Sequence, residues 1–73
     1  MAHYQVLVQW SDGSAASGRR VSLGFSSGMT DYVYTDNKGK AVISTSASGT
    51  ATVYVDGMDR GRTSPGTYVV TLR

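Results

Sequence analysis

T-D-Y-V-Y-T-D-N-K-G-K-A-V-I-S, residues Thr30–Ser44, reads as strand, tight turn, strand. Runs rich in aromatic and β-branched residues flank Asp36-Asn37-Lys38-Gly39, a composition that suits a half-buried pleated surface. The four turn residues fit a type I turn. Asp36 can accept hydrogen bonds from backbone N–H groups ahead of it, and Gly39 takes a left-handed conformation without a Cβ clash. A type I turn followed by such a glycine closes a hairpin with a bulge. The stretch therefore predicts two antiparallel strands, Thr30–Thr35 and Lys40–Thr45, joined at this tip.

The same grammar repeats on both sides. His3–Trp10 alternates Tyr4, Val6, Val8 and Trp10 on an inner face with His3, Gln5, Leu7 and Gln9 on an outer one. Ser11-Asp12-Gly13-Ser14 turns the chain and Ala15–Gly18 continues as a loop. Arg19–Phe25 then points Val21, Leu23 and Phe25 inward. After the Ser26–Gly28 loop and the opening stretch, Ser46–Gly49 is a third loop. Thr50–Val55 alternates Ala51, Val53 and Val55 with Thr50, Thr52 and Tyr54, and Asp56-Gly57 is a strong turn signal. Met58–Gly66 reads as an arm with room for one short irregular strand, and Pro65 argues against a central strand there. Thr67–Leu72 is the last strand, with Tyr68, Val70 and Leu72 inward. No window keeps apolar residues at helical spacing for three turns. Short strands at roughly ten-residue spacing predict an all-β sandwich of about seven strands.

Seventy-three residues make one domain, which buries only roughly 60% of its unfolded surface and holds about 3–5 kcal/mol of core stability. With no cysteine there is no disulfide, thiolate zinc site or thiol nucleophile. The five acids are all Asp, at 12, 31, 36, 56 and 59, and four stand near a Gly or Asn, which suggests turn duty over acid–base duty. A formal charge of +2 argues only weakly for a polyanion partner. Neither a signal segment nor an apolar run of membrane-spanning length is present, and nothing calls for a cofactor. As a complete gene product the chain would be cytoplasmic. As a module cut from a larger protein it would be secreted or at the cell surface, with residues 1–3 a frayed or added terminus.

Three pieces read together resemble a known family. They are V-x-W-x-D-G-x-x-x-x-G-x-x-V-x-L (Val8–Leu23), T-D-N-K-G-K-A (Thr35–Ala41), and G-x-x-x-V-Y-V-D-G with G-T-Y-V-V-T-L toward the end. They resemble the carboxypeptidase regulatory-like domain, a transthyretin-like or prealbumin-like sandwich of immunoglobulin type. The resemblance spans about Gln5 to Leu72 and implies a small immunoglobulin-like sandwich, non-catalytic and used for folding, spacing or binding. A neighbouring family, the B-type repeats of Gram-positive adhesins, staples its sandwich with a Lys–Asn isopeptide bond. Here Asn37, Lys38 and Lys40 crowd an exposed tip, which does not suit that chemistry.

Candidate sites follow from the exposed residues. Arg19-Arg20 and Arg60-x-Arg62, with Tyr32, Tyr34 and Tyr54, would suit a single-stranded nucleic acid if their loops converged. Tyr54 falls on the outer face of its strand and would offer an aromatic platform to a sugar ring. Trp10 shares the inner face and is expected in the core, whereas Tyr32 and Tyr34 compete with Val33 and alternation does not decide between them. The Asp56–Asp59 turn and Asp36-Asn37 offer oxygens to calcium, which needs about six to eight of them, but Lys38, Arg60 and Arg62 would repel a cation. His3 stands alone. His3–Trp10 carries no Lys, Glu, Asp or Pro, the usual guards of an open edge. As an edge it would take a partner protein or a second copy, with Leu7 exposed beside it; as a central strand it would pair within its own domain. The residues singled out for interaction are thus Leu7, Tyr54, Arg60 and Arg62. The turn residues are Asp12, Gly13, Asp36, Gly39, Asp56 and Gly57.

Overall fold

A computed structural model describes residues 2–47 and 49–72. It is an all-β sandwich of two packed sheets. The strands are β1 (Ala2–Trp10), β2 (Arg20–Phe25), β3 (Gly28–Met29), β4 (Val33–Tyr34), β5 (Lys40–Thr45), β6 (Ala51–Val55), β7 (Met58–Thr63) and β8 (Gly66–Leu72). One sheet has the order β5-β1-β8; the other has β3-β2-β6-β7, with β4 also pairing β2. β1 runs antiparallel to β5 and parallel to β8.

Period-two alternation builds the core as expected. Tyr4, Val6, Val8, Ala41, Ile43, Val70 and Leu72 from the first sheet face Val21, Leu23, Ala51, Val53 and Val55 from the second, with Ala16 contributed by a loop. Burying each valine or leucine contributes about 1.5–3 kcal/mol, the main source of stability in a chain without disulfides. Tyr4 is fully buried, so its hydroxyl needs a partner, and it donates to the Gly49 carbonyl at 2.6 Å. Its ring meets Phe25 edge-on at 5.7 Å. Trp10, expected inside, is only half-buried at the end of β1, where the Arg19 guanidinium sits 4.8 Å from its ring centroid.

The turns follow their sequence signals. Asp36 Oδ1 accepts from the Lys38 and Lys40 backbone N–H groups at 2.8 and 3.0 Å, and Gly39 N–H donates to the Asp36 carbonyl at 3.0 Å. These hydrogen bonds stabilise the charged carboxylate and hold Asp36 below the ordinary value. Asp12 Oδ1 accepts from the Ser14 hydroxyl and N–H, and the hydroxyl bond is the larger cause lowering its pKa. Asp56 and Gly57 both have positive φ, 53° and 83°, the signature of a two-residue type I′ hairpin between Val55 and Met58.

Four expectations need correction. The Asp36–Gly39 turn does not close a hairpin within one sheet: β4 pairs with β2 and β5 pairs with β1, so the tip is an arch from sheet to sheet. Of the two readings left open for His3–Trp10, the central strand holds and the edge is the one corrected. Bonded on both sides, β1 is the central strand of its sheet, and Leu7 is half-buried between Lys40 and Val69. β1 also begins at Ala2, so Ala2 and His3 are strand residues and the His3 ring nitrogen lies 2.7 Å from Ser44 Oγ; Met1 lies outside the described residues. Finally, Met58–Thr63 is a full six-residue edge strand, and Pro65 falls in the link that follows it.

Candidate functional site

The outer face of the β3/β4-β2-β6-β7 sheet gathers most of the candidate side chains. Alternation along β2 turns Arg20, Ser22 and Gly24 away from the core, because Val21 and Leu23 fill it. Register then fixes their neighbours. Tyr34 lies opposite Arg20, Tyr54 opposite Ser22, and both Met29 and Thr52 opposite Gly24. β7 adds Asp59 beside Tyr54 and Arg62 beside Thr52.

Two clusters sit on this grid, centred on Arg20 and Gly24, about 13 Å apart along β2. In the first, the Arg20 guanidinium lies 5.6 Å from the Tyr32 ring centroid, and Tyr32 meets Tyr34 edge-on at 5.8 Å. Both rings are more than half exposed, at 55% and 58%, so the competition with Val33 is resolved with Val33 turned toward the core. In the second, the Tyr54 ring lies across Gly24, where an added Cβ would come within 2.8 Å of Cε2. Glycine mid-strand is what admits the ring this close to the backbone. Beside it opens a shallow groove of about 450 Å³, lined chiefly by Gly24, Phe25, Met29, Thr52, Tyr54 and Arg62.

Of the residues singled out from sequence, Tyr54 and Arg62 come together here. Arg60 does not join them. Between Thr52 and Tyr54 the β6–β7 register shifts, and this bulge separates Arg60 from the outward positions. Its guanidinium lies 3.9 Å from Met58 Sδ, its Nε is buried, and its carbonyl accepts from the Tyr68 hydroxyl at 2.8 Å. Leu7 is on the outer face of the opposite sheet. Arg19 is also committed elsewhere, paired with Asp56 at 3.2 Å under a half-exposed surface. The four arginines therefore do not form one basic patch.

Met29 and Gly24 belong to the face and were not singled out, and Asp59, weighed only as a calcium oxygen, belongs to it too. An outward glycine inside Arg19–Phe25, which leaves room for a ring from a neighbouring strand, was the legible sign. Asp56 Oδ1 accepts from the Arg20 N–H at 3.2 Å and Asp59 Oδ1 from the Gly61 N–H at 2.8 Å, so each helps hold a turn or bulge. No group of three or more His, Asp or Glu side chains converges among the described residues.

Comparison with protein-family models, curated proteins and solved structures finds no match for this chain.

Proposed function

We propose that this chain is a non-catalytic binding module of the carboxypeptidase regulatory-like, immunoglobulin-type sandwich kind, and that its outer β2–β6–β7 face takes a neutral carbohydrate at the Tyr54 groove. The observation that carries the reading is the Tyr54 ring laid over Gly24, with Asp59 and Arg62 at its border. A sugar ring packs its C–H face against an aromatic ring, while its hydroxyls both donate and accept hydrogen bonds. The Arg62 guanidinium in the groove's lining donates, and the exposed Asp59 carboxylate, opposite Tyr54 in register, accepts. The groove's size is that of a small-ligand site.

Charge separates this ligand from a single-stranded nucleic acid. Affinity for a phosphate backbone comes from a track of cations. On this face Arg20 and Arg62 stand at different corners, Asp59 adjoins Tyr54, and Asp31 adjoins Tyr32 in sequence. These carboxylates repel phosphate and accept from hydroxyls.

A glycan array probed with the purified domain tests the proposal, with titration of the strongest hit against Tyr54→Ala. The expected result is a neutral glycan bound by the parent and lost in the variant. An array without signal, or a variant that binds as tightly as the parent, overturns it. Single-stranded oligonucleotides that bind with a steep salt dependence would give the face to nucleic acid instead.

A further inference from the structure

The β5-β1-β8 sheet ends in two open edges, and they are not alike. β8, Gly66-Thr67-Tyr68-Val69-Val70-Thr71-Leu72, carries no charge and no proline over seven residues and pairs only with β1 among the described residues. β5 has Lys40 on it, and β7, the adjacent edge of the other sheet, is bulged and carries Asp59, Arg60 and Arg62. Charges and bulges are how edges are kept from pairing. Among the edge strands longer than two residues, β8 alone lacks both. We infer that two copies of this chain associate by antiparallel pairing of β8 with β8.

The strand is self-complementary about its own midpoint. In an antiparallel pair opposite residues share a face, and a two-fold axis through Val69 sets Val69 against Val69, Thr67 against Thr71 and Tyr68 against Val70. Val69 and Thr71 are exposed and Val70 is buried, so each such pair joins residues of matching orientation. Valine–valine and threonine–threonine are favourable cross-strand partners. On the outer face the paired Val69 side chains, 52% exposed in one copy, extend toward the half-buried Leu7.

This dimer goes beyond carbohydrate binding and bears on it. The axis of an antiparallel strand pair is perpendicular to the sheet, so both second sheets lie on the same side of the joined one. Their Tyr54 grooves face one way, as two sites for one polysaccharide. A seven-residue strand pair is smaller than the roughly 1,200 Å² of a standard interface, which makes the association concentration-dependent.

Sedimentation velocity of the parent up to a concentration on the order of 1 mM tests it. The expected result is a reversible monomer–dimer equilibrium. Val69→Lys, which sets two like charges opposite each other, weakens it at least about tenfold while leaving the melt unchanged, because Val69 is half exposed. Val42→Lys, on the outer face of β5, leaves it intact. A parent that stays monomeric overturns the inference, as does dimerisation lost in Val42→Lys and retained in Val69→Lys. Tyr54→Ala should dimerise normally, so a failed glycan experiment and a failed dimer experiment are separable.

Discussion

Gly39→Ala is expected to remove a large part of the domain's stability, and the structure supplies the parts of the estimate. Gly39 is buried with φ at 78°, where a residue with a Cβ loses about 1–2 kcal/mol. An added Cβ would stand 2.3 Å from the Val8 carbonyl oxygen and 3.3 Å from Ala16 N, both backbone atoms that cannot rotate aside. Relieving that contact pulls on two hydrogen bonds, Val8 N–H to Gly39 O at 2.7 Å and Ala16 N–H to Val8 O at 3.0 Å. Each contributes about 0.5–1.5 kcal/mol, so the whole loss is about 2–5 kcal/mol. That is comparable with the roughly 3–5 kcal/mol available to a core of this size. Gly13→Ala is the control. Its φ is 90° but nothing lies within 4 Å of its Cβ position, so it bears the conformational term alone. Urea unfolding followed by Trp10 fluorescence reads both, and equal losses at Gly13 and Gly39 would refute the close-packing argument.

Gly24→Ala should displace the Tyr54 ring and weaken glycan binding as much as Tyr54→Ala does, while changing stability by less than about 1 kcal/mol; titration beside a urea melt checks this. Asp36 has a folded pKa below its ordinary 3.8, so its contribution is complete above that value and is lost as pH falls through the lower folded one. Acid unfolding of Asp36→Asn should accordingly show a shallower limb below pH 3.8 than the parent. Asp56→Asn keeps a residue tolerant of φ 53° and gives up only a half-exposed ion pair, costing less than about 1 kcal/mol in thermal melts. Asp56→Val should cost more, because a β-branched residue resists that conformation.

Faces were legible in the sequence, and sheets were not. Alternation assigned Tyr4, Val6 and Val8, Val21 and Leu23, and Ala51, Val53 and Val55 to the interior because burial on one face depends only on a local period of two. Which strands share a sheet depends on contacts between distant segments, and no local signal carries it. The Asp36–Gly39 tip illustrates the gap. A turn that hydrogen-bonds to itself looks the same in sequence whether the flanking strands pair with each other or leave for opposite sheets. β7 escaped for a different reason. M-D-R-G-R-T has no apolar alternation, since an edge strand's outer positions stay wet and a bulge breaks its period. Of the candidate site, Tyr54 was readable from alternation, and Arg62 only from its charge in the Arg60-x-Arg62 pair. Asp59 was not, because it reaches Tyr54 only through the bulged β6–β7 register.

Where the acids go bears on function as well as on fold. Asp12, Asp36, Asp56 and Asp59 each accept a hydrogen bond from a backbone N–H, and their short side chains suit that local reach in a way Glu would not. A chain with no Glu, no Cys and a single His that spends four of its five carboxylates on backbone geometry has little left for general acid–base chemistry. The groups on the outer β2–β6–β7 face that can meet a ligand are aromatic rings, guanidinium groups, hydroxyls and the exposed Asp59 carboxylate, which holds the bulge through one oxygen only. That division uses charge to shape corners and lays rings on a strand face. It also locates the place to perturb: substitutions on the outer β2–β6–β7 face should change recognition, and those at the corners should change folding.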